Sequence, residues 1–456
     1  MMTRSRQKNF TEGKLFFPML FFTLPIMATG ILQLLYNMAD QVIVGQFSGD
    51  ANALGAIGST TALNALFVNF FMGIASGSSV VVAQFLGAGK DKEVERAVHT
   101  SLTFSLVLGI GLGAIAFFLA RPLLVLLGTK ADLLDAAVLY VRILACGIPF
   151  SAAYNFGAAV LRSAGDSKTP LVILATSGFI NVLFNLLFVI VFHMSVDGVA
   201  LATVFSQLVS FIWVFFVLAR RDAVYKLSLR RLRIEADMLY RVLRIGIPSA
   251  LQSSLFALSS MIIQSAVNTF STEEVSGFAV GGTIEGFTYT AMSSFSQTAV
   301  TFAGQNYGAK KRDRLRCVLL YGVLQVTLVG TLLGWGGFFF AEELSRLFID
   351  TTLPEAPLVI AASVAKIEVF LSFYFLCGVM DVMVGYLRGI GYSVMPMVWS
   401  IVGACGIRAL WIFFVFPHLP HTAFSLYVVY IITWIFVSIM QLFTIMSASK
   451  KMKKTF

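Results

Sequence analysis

Twelve stretches of about 20 or more apolar residues, the length that carries a helix across a bilayer, decide what this chain can fold into. They run approximately over residues 15–44, 54–85, 94–120, 136–161, 170–192, 198–219, 243–270, 277–304, 317–341, 358–386, 396–416 and 424–447. In lipid each backbone polar group must be satisfied within its own segment, and a helix does this. The alternative, a soluble protein of 456 residues, needs a charged surface, yet only 12% of this chain is charged, against about 25% in an average soluble domain. The sequence therefore predicts an all-α polytopic membrane protein with twelve transmembrane helices. No cleavable signal peptide is expected, because the first apolar stretch is long, carries Asp40 and lacks a small-residue cleavage site. Cys146, Cys317, Cys377 and Cys405 lie within or flush with these stretches, at spacings that fit neither a zinc site nor a disulfide framework. They read as small packing residues.

A net charge of +10 raises the question of nucleic acid, and the location of the charge answers it. Arg4, Arg6, Lys8 and Lys14 precede the first helix, and Lys450, Lys451, Lys453 and Lys454 follow the last. Lys90, Lys92 and Arg96 lie at the second connection, Arg162 and Lys168 at the fourth, Lys310, Lys311, Arg312, Arg314 and Arg316 at the eighth, and Arg388 at the tenth. The sixth holds Arg220, Arg221, Lys226, Arg230, Arg231, Arg233, Arg241 and Arg244. Together these are 27 of the 33 Lys and Arg, whereas the odd-numbered connections hold only Arg121, Lys130 and Arg346. Basic residues mark the cytoplasmic side. The even connections and both termini are thus expected in the cytoplasm of a cell (plasma or inner) membrane, with the bilayer and not nucleic acid as the partner.

The chain also repeats itself. AQFLGAGKDKEVERA (Ala83 to Ala97) corresponds to GQNYGAKKRDRLRCV (Gly304 to Val318), with Gln84/Gln305 and Gly87/Gly308 both 221 apart. Pro25 in LPIMATG matches Pro248 in IPSALQS, 223 apart, and AAVLRSAGDSKTPL matches VGYLRGIGYSVMPM, with Arg162/Arg388, Gly165/Gly391 and Pro170/Pro396 each 226 apart. Each half has six helices and enters the membrane from the same side, so the repeat is parallel, about an axis along the membrane normal. The expected organisation is an N-lobe (1–222), a basic cytoplasmic linker (223–242) and a C-lobe (243–456), arranged around a central cleft. The repeated loop residues have a structural explanation first. Gly87 and Gly308 suit the positive φ that ends a helix, and Pro170 and Pro396 suit the first turn of the next.

Charge inside lipid costs a few kcal/mol or more, so each intramembrane ionisable residue becomes a functional candidate. Asp40 is the sharpest. On helical spacing Gln33, Tyr36, Asn37 and Asp40 of QLLYNMADQVIVG share one face, and Pro25 offers a bend a few turns earlier. A carboxylate there can bind a proton, a sodium ion or a cationic substrate; its plain alternative is to anchor helix packing. Asn181 and Asn185 sit four apart on the fifth helix, as do Thr203 and Gln207 on the sixth. Such groups either supply neutral oxygens to a cation or hydrogen-bond between helices. In the second half Glu285 heads a face with Thr288, Tyr289, Met292 and Ser296, while the tenth helix carries Lys366, Glu368 and Asp381. Lys366 and Glu368 are expected near the outer interface, snorkelling or paired there. Arg408 is positioned to neutralise one of the acids, and the four histidines receive no role.

No G-x-x-x-x-G-K-[ST] run, nucleophile elbow, H-E-x-x-H helix or Cys/His metal cluster is present, so the chain reads as a transporter and not an enzyme. Energy must come from an ion gradient or a separate subunit. LPIMATGILQLLYNMADQVIVGQ, the two Q-x-x-G-A-x-K connections, LRSAGDSKTP, GFINVLFN followed by DGVALATVFSQ, and GGTIEGF together resemble the multidrug and toxic compound extrusion (MATE) family across nearly the whole chain. The resemblance implies a twelve-helix, two-lobe antiporter that exports organic, often cationic and lipophilic, compounds in exchange for sodium ions or protons. It further implies an N-lobe cation site built from an acid on the first helix (Asp40), an Asn on the fifth (Asn181) and a Thr on the sixth (Thr203). A second acid one turn beyond the fifth-helix Asn is here Asn185, which removes a charge.

Tyr36, Asn37, Gln207, Glu285, Tyr289 and Asp381 are candidates for a substrate cleft, and no cofactor beyond the coupling ion is expected. In the family acids also occur on the seventh and tenth helices; here the seventh has none in its apolar body and Asp381 is offset by over a turn. The competing reading, a flippase of a lipid-linked precursor in the same wider superfamily, needs a basic cleft, and only Arg142 and Arg408 offer intramembrane guanidinium groups. An embedded enzyme or a passive channel has no supporting motif. The chain is expected to act as a monomer.

Overall fold

The computed structural model describes residues 10–47 and 52–455, so Arg4, Arg6 and Lys8 of the basic tail lie outside the described residues. The described residues are helical, without a strand among them. The helices are α1 (Phe16–Phe47), α2 (Ala53–Gly87), α3 (Asp91–Leu126), α4 (Ala131–Ser163), α5 (Lys168–Leu186), α6 (Val196–Arg220), α7 (Ala236–Val267), α8 (Thr272–Gly308), α9 (Arg312–Phe339), α10 (Ala341–Arg346), α11 (Ala356–Ser372), α12 (Tyr374–Gly389), α13 (Val394–Ser400), α14 (Arg408–Leu410) and α15 (Ala423–Thr455). Among the described residues ten helical spans are long and apolar enough to cross a membrane, and α11 with α12, bent by 48°, supplies an eleventh. The eighth apolar stretch of the sequence is α8, 37 residues long, which is interrupted by serine, threonine and glycine and falls short of that apolarity.

Three departures from regular helix were not legible in the sequence. The tenth apolar stretch, expected as one span, breaks at Phe373. The fifth span ends in a π-helical stretch, Leu187–Val191, and the eleventh runs through two more, Ile401–Ile407 and Trp411–Val415. Short α10 follows α9 outside any apolar stretch. Pro25 and Pro248 both lie inside helices, where each removes one backbone donor.

Compactness divides the chain differently from the sequence repeat. One unit comprises Ala28–Ala250 and the other Phe10–Met27 with Leu251–Phe456. Both divisions fall two residues after the matched prolines. Within the first unit, α7 approaches α2 so closely that a Cβ on Gly77 would stand 2.2 Å from the carbonyl oxygen of Val242, and one on Gly73 2.3 Å from the Ala250 Cα. Small residues allow this contact, the usual device of helix packing in lipid. The segment ahead of α7, expected as a linker, is tied to α3. His99 accepts the Ser228 amide at 3.0 Å and Thr100 that of Glu235 at 3.2 Å, while Arg96 pairs with Glu235 and Asp237. His99, 3% exposed, is therefore a structural acceptor.

The second unit holds the segment ahead of α1 in a similar way. Phe10 stacks on Phe302 at 4.0 Å and donates its amide to Gln305 at 3.1 Å, while Arg314 donates to the carbonyls of Phe10 and Gly13 at 2.9 and 2.8 Å. Positive φ corrects the expectation for Gly87 and Gly308. It occurs two residues later, at Gly89 (65°) and its repeat mate Lys310 (56°), whereas Gly165 (87°) and Gly391 (89°) form a matched pair.

Candidate functional site

The site in the first unit is built on α1. Tyr36 donates its hydroxyl to the Ala175 carbonyl at 2.9 Å, crossing to α5. Its ring occupies the space a side chain at 178 would need, since a Cβ on Gly178 would lie 1.9 Å from Cε2. One turn further, Asp40 accepts a short hydrogen bond on Oδ1 from Asn185 Nδ2. The same amide donates at 3.3 Å to Asn181 Oδ1, and Asn181 donates at 3.4 Å to the Thr203 hydroxyl of α6. Thr203 in turn bonds the Val199 carbonyl at 3.0 Å. Four side chains on three helices thus form one hydrogen-bonded chain with a single acid at its end.

The chain of bonds has a loose end. Asn185 is 0% exposed, and its Oδ1 is buried with no hydrogen-bond partner among the described residues. A buried acceptor without a donor costs about 1–3 kcal/mol. A cation beside Asp40 would satisfy that oxygen and the carboxylate together. Among the described residues no group of three or more His, Cys, Asp or Glu could hold a metal ion.

The other first-unit candidates divide. Gln207 lies one turn from Thr203 and against Gly147 of α4, where a Cβ would meet its Oε1 at 2.3 Å; that oxygen too is buried without a partner among the described residues. Asn37 is exposed. Tyr140 of α4, 7% exposed and within electrostatic reach of Asp40, was not singled out by sequence. Nothing in a tyrosine on an apolar helix announces which acid it faces.

The second unit separates its acids. Glu285 Oε1 accepts the Tyr374 hydroxyl at 3.1 Å, and Oε2 lies 3.7 Å from Lys366 Nζ. Of the two alternatives expected for Lys366, snorkelling or pairing, the structure has pairing: its side chain is 12% exposed beside Glu285, and Nζ donates to the Phe278 carbonyl at 3.0 Å. Arg408 lies within electrostatic reach of Glu285 without an ion pair to it among the described residues. Its guanidinium lies 3.8 Å from the centre of the Tyr430 ring and donates at 3.4 Å to Ser259 and Thr433. Asp381 interacts electrostatically with Arg388 and with Tyr289, which is 42% exposed. Arg388 itself donates to Gln252 at 2.6 Å. No hydrogen bond joins Glu285 to Asp381 among the described residues, and the two acids share Tyr289 and Cys377 as electrostatic neighbours.

A bundle of membrane-spanning helices in two sequence-related halves, with a polar chain of side chains buried within lipid, is the build of a multi-pass transporter. The MatE family model matches residues 25–187 and again 248–414, each match opening on one of the paired prolines. The chain belongs to the MatE family of multidrug efflux transporters, and not to an enzyme family. It is 30% identical over 402 residues to the probable multidrug resistance protein YpnP of Bacillus subtilis (strain 168), covering 88% of each chain. It is 28% identical over 394 residues to the probable multidrug resistance protein YoeA of the same organism, covering 85% of this chain and 84% of the other. A solved outward-facing multidrug resistance MATE family transporter of the MOP superfamily shares the fold, with a TM-score of 0.91 at 20% identity over 99% of this chain and 100% of that one.

Proposed function

We propose that the chain is a secondary active antiporter that exports organic, cationic or lipophilic compounds in exchange for sodium ions or protons by alternating access. The observation that carries this reading is the partnerless Asn185 oxygen beside the Asp40 carboxylate. Asp40, Asn181, Asn185 and Thr203 bind the coupling cation. Its entry satisfies the loose oxygen, and its departure leaves the carboxylate to Asn185 alone. Tyr36, Asn37, Gln207, Glu285, Tyr289 and Asp381 contribute to substrate binding. The multidrug resistance names of the two Bacillus subtilis relatives support this substrate class. The protein works as a monomer in the cell membrane with both termini in the cytoplasm.

A flippase reading gains nothing from the arginines. Arg142 bonds the Phe117 carbonyl at 3.3 Å and lies 5.5 Å from the same residue's ring centre, while Arg408 is held by Tyr430, Thr433 and Ser259. Arg408 is thereby engaged within the protein, and Arg142 is a single exposed guanidinium bonded through Nε, short of the basic cleft a diphosphate needs.

The test is ethidium efflux from proteoliposomes under separately imposed sodium and pH gradients, with the native chain and Asp40→Asn. One of the two gradients should drive efflux in the native protein. Asp40→Asn should lower that rate at least about tenfold, the equivalent of about 1.4 kcal/mol. Undiminished efflux at equal reconstitution would remove Asp40 from the mechanism.

A further inference from the structure

Lys366 is an intramembrane cation that the coupling chemistry of Asp40 does not use, and its surroundings are those of a cation-binding site. Nζ lies 5.3 Å from the centre of the Tyr427 ring and 5.6 Å from that of Phe370. Glu285 Oε2 stands 3.7 Å away. Aromatic faces and a carboxylate around one nitrogen make the arrangement that binds organic ammonium groups. Sodium, strongly hydrated, needs several oxygens at close range, and this cage offers it the Phe278 carbonyl and Glu285.

The geometry also distinguishes a displaceable pair from a locked one. At 3.7 Å the ammonium is outside the 2.7–3.2 Å range of an N–H···O hydrogen bond, and the bond Nζ does make is to a neutral carbonyl. Glu285 keeps its firmer link through Tyr374 and leaves 23% of its side chain accessible. The lysine stem lies in a trough made by two glycines. A Cβ on Gly281 would meet Lys366 Cδ at 3.3 Å, and one on Gly282 would meet Nζ at 2.8 Å. A four-carbon stem with a point charge can leave such a trough without unfolding a helix.

We propose that Lys366 is a tethered competitor for a substrate site in the second unit, formed by Glu285, Phe370 and Tyr427. A substrate ammonium displaces Nζ from the carboxylate and the ring faces, and the return of Lys366 expels it. The lysine thereby sets both the affinity of the site and its preference for cations bulky enough to hold two aromatic faces. This rests on the reading of the chain as an exporter of organic cations, but it concerns equilibrium binding, which needs no gradient and no Asp40.

The test is binding of tetraphenylphosphonium to the full chain in lipid nanodiscs, by equilibrium dialysis against empty nanodiscs. The fluorescence of Trp434, whose ring centre is 5.4 Å from Tyr374 and 6.0 Å from Phe370, serves as a local reporter, with Trp434→Phe as its blank. Lys366→Met should tighten binding about tenfold or more, and the double variant Lys366→Met/Glu285→Gln should lose that gain. Lys366→Arg, which keeps the charge and grips the rings through a planar group, should weaken binding severalfold. It serves in place of Lys366→Met should the latter fail to fold. Binding by Lys366→Met no tighter than native, a double variant that keeps the gain, or an unchanged Lys366→Arg would overturn the proposal. Because no gradient enters, a failure here leaves cation coupling at Asp40 standing, and a failure of Asp40→Asn to slow efflux leaves this result standing.

Discussion

Asp40 and its partners were legible because two kinds of spacing coincide: a polar face on α1, and i, i+4 pairs on α5 and α6. What spacing cannot say is which helices face one another, so Tyr140, Tyr374 and the Lys366–Glu285 pair emerged only from the fold. Asn185 makes the sharpest residue-scale prediction. Asn185→Asp places two carboxylates at hydrogen-bonding distance, which repel unless a cation lies between them. Its melting temperature should rise more than the native protein's when the coupling ion is added, read by a thermal shift in sodium against choline buffer. An equal rise in both proteins would mean that the cation does not bind at this amide. A second prediction concerns the loop between α4 and α5. Burial pushes the Asp166 carboxyl up, but hydrogen bonds from Thr169 and the charge of Arg221 outweigh it, and the net value is lowered. A lowered folded value means stability that is present above the unfolded carboxyl range near 4 and lost as pH falls through the folded one. Asp166→Asn should therefore lower stability by about 1–3 kcal/mol at neutral pH, and by progressively less as the pH approaches 3.

At the scale of elements, apolar length located every long helix, since a segment that crosses lipid has little choice but to be helical, but the ends of α7 and α15 extend well past the apolar stretches. The breaks escaped notice because they depend on neighbours. A π-helical stretch or a bend at Phe373 leaves no mark of its own among apolar residues. The repeat adds a comparison that the loops alone do not. Gly89 and Lys310 occupy one left-handed position in the two halves, and an L side chain there is strained by about 1–2 kcal/mol. Lys310→Gly should stabilise the protein by about 0.5–1 kcal/mol after allowing for the greater freedom of glycine in the unfolded chain. Gly89→Lys should cost about as much. Parallel thermal unfolding of the two variants checks the pair, and equal effects of the same sign would show that the shared φ is not what matters. The contact of Gly77 with the Val242 carbonyl is less forgiving, because backbone meets backbone.

The whole molecule shows the widest gap between what a sequence pattern carries and what only contacts reveal. The parallel repeat follows from offsets of 221 to 226 residues. The division of the compact units inside α1 and α7 does not, because the halves are defined by similarity and the units by packing. Orientation in the bilayer is a third property, carried by charge alone. Of 33 Lys and Arg, 27 lie on the even connections and tails and three on the odd connections, and each lysine or arginine held on the cytoplasmic side adds to the same bias. Cysteine labelling reads the outcome directly. In a variant lacking the four native cysteines, Lys90→Cys and Lys226→Cys lie on even connections, and Thr129→Cys and Thr351→Cys on odd ones. A membrane-impermeant maleimide added to intact cells should label the second pair and spare the first, and permeabilised cells should show all four. The reverse pattern would invert the molecule.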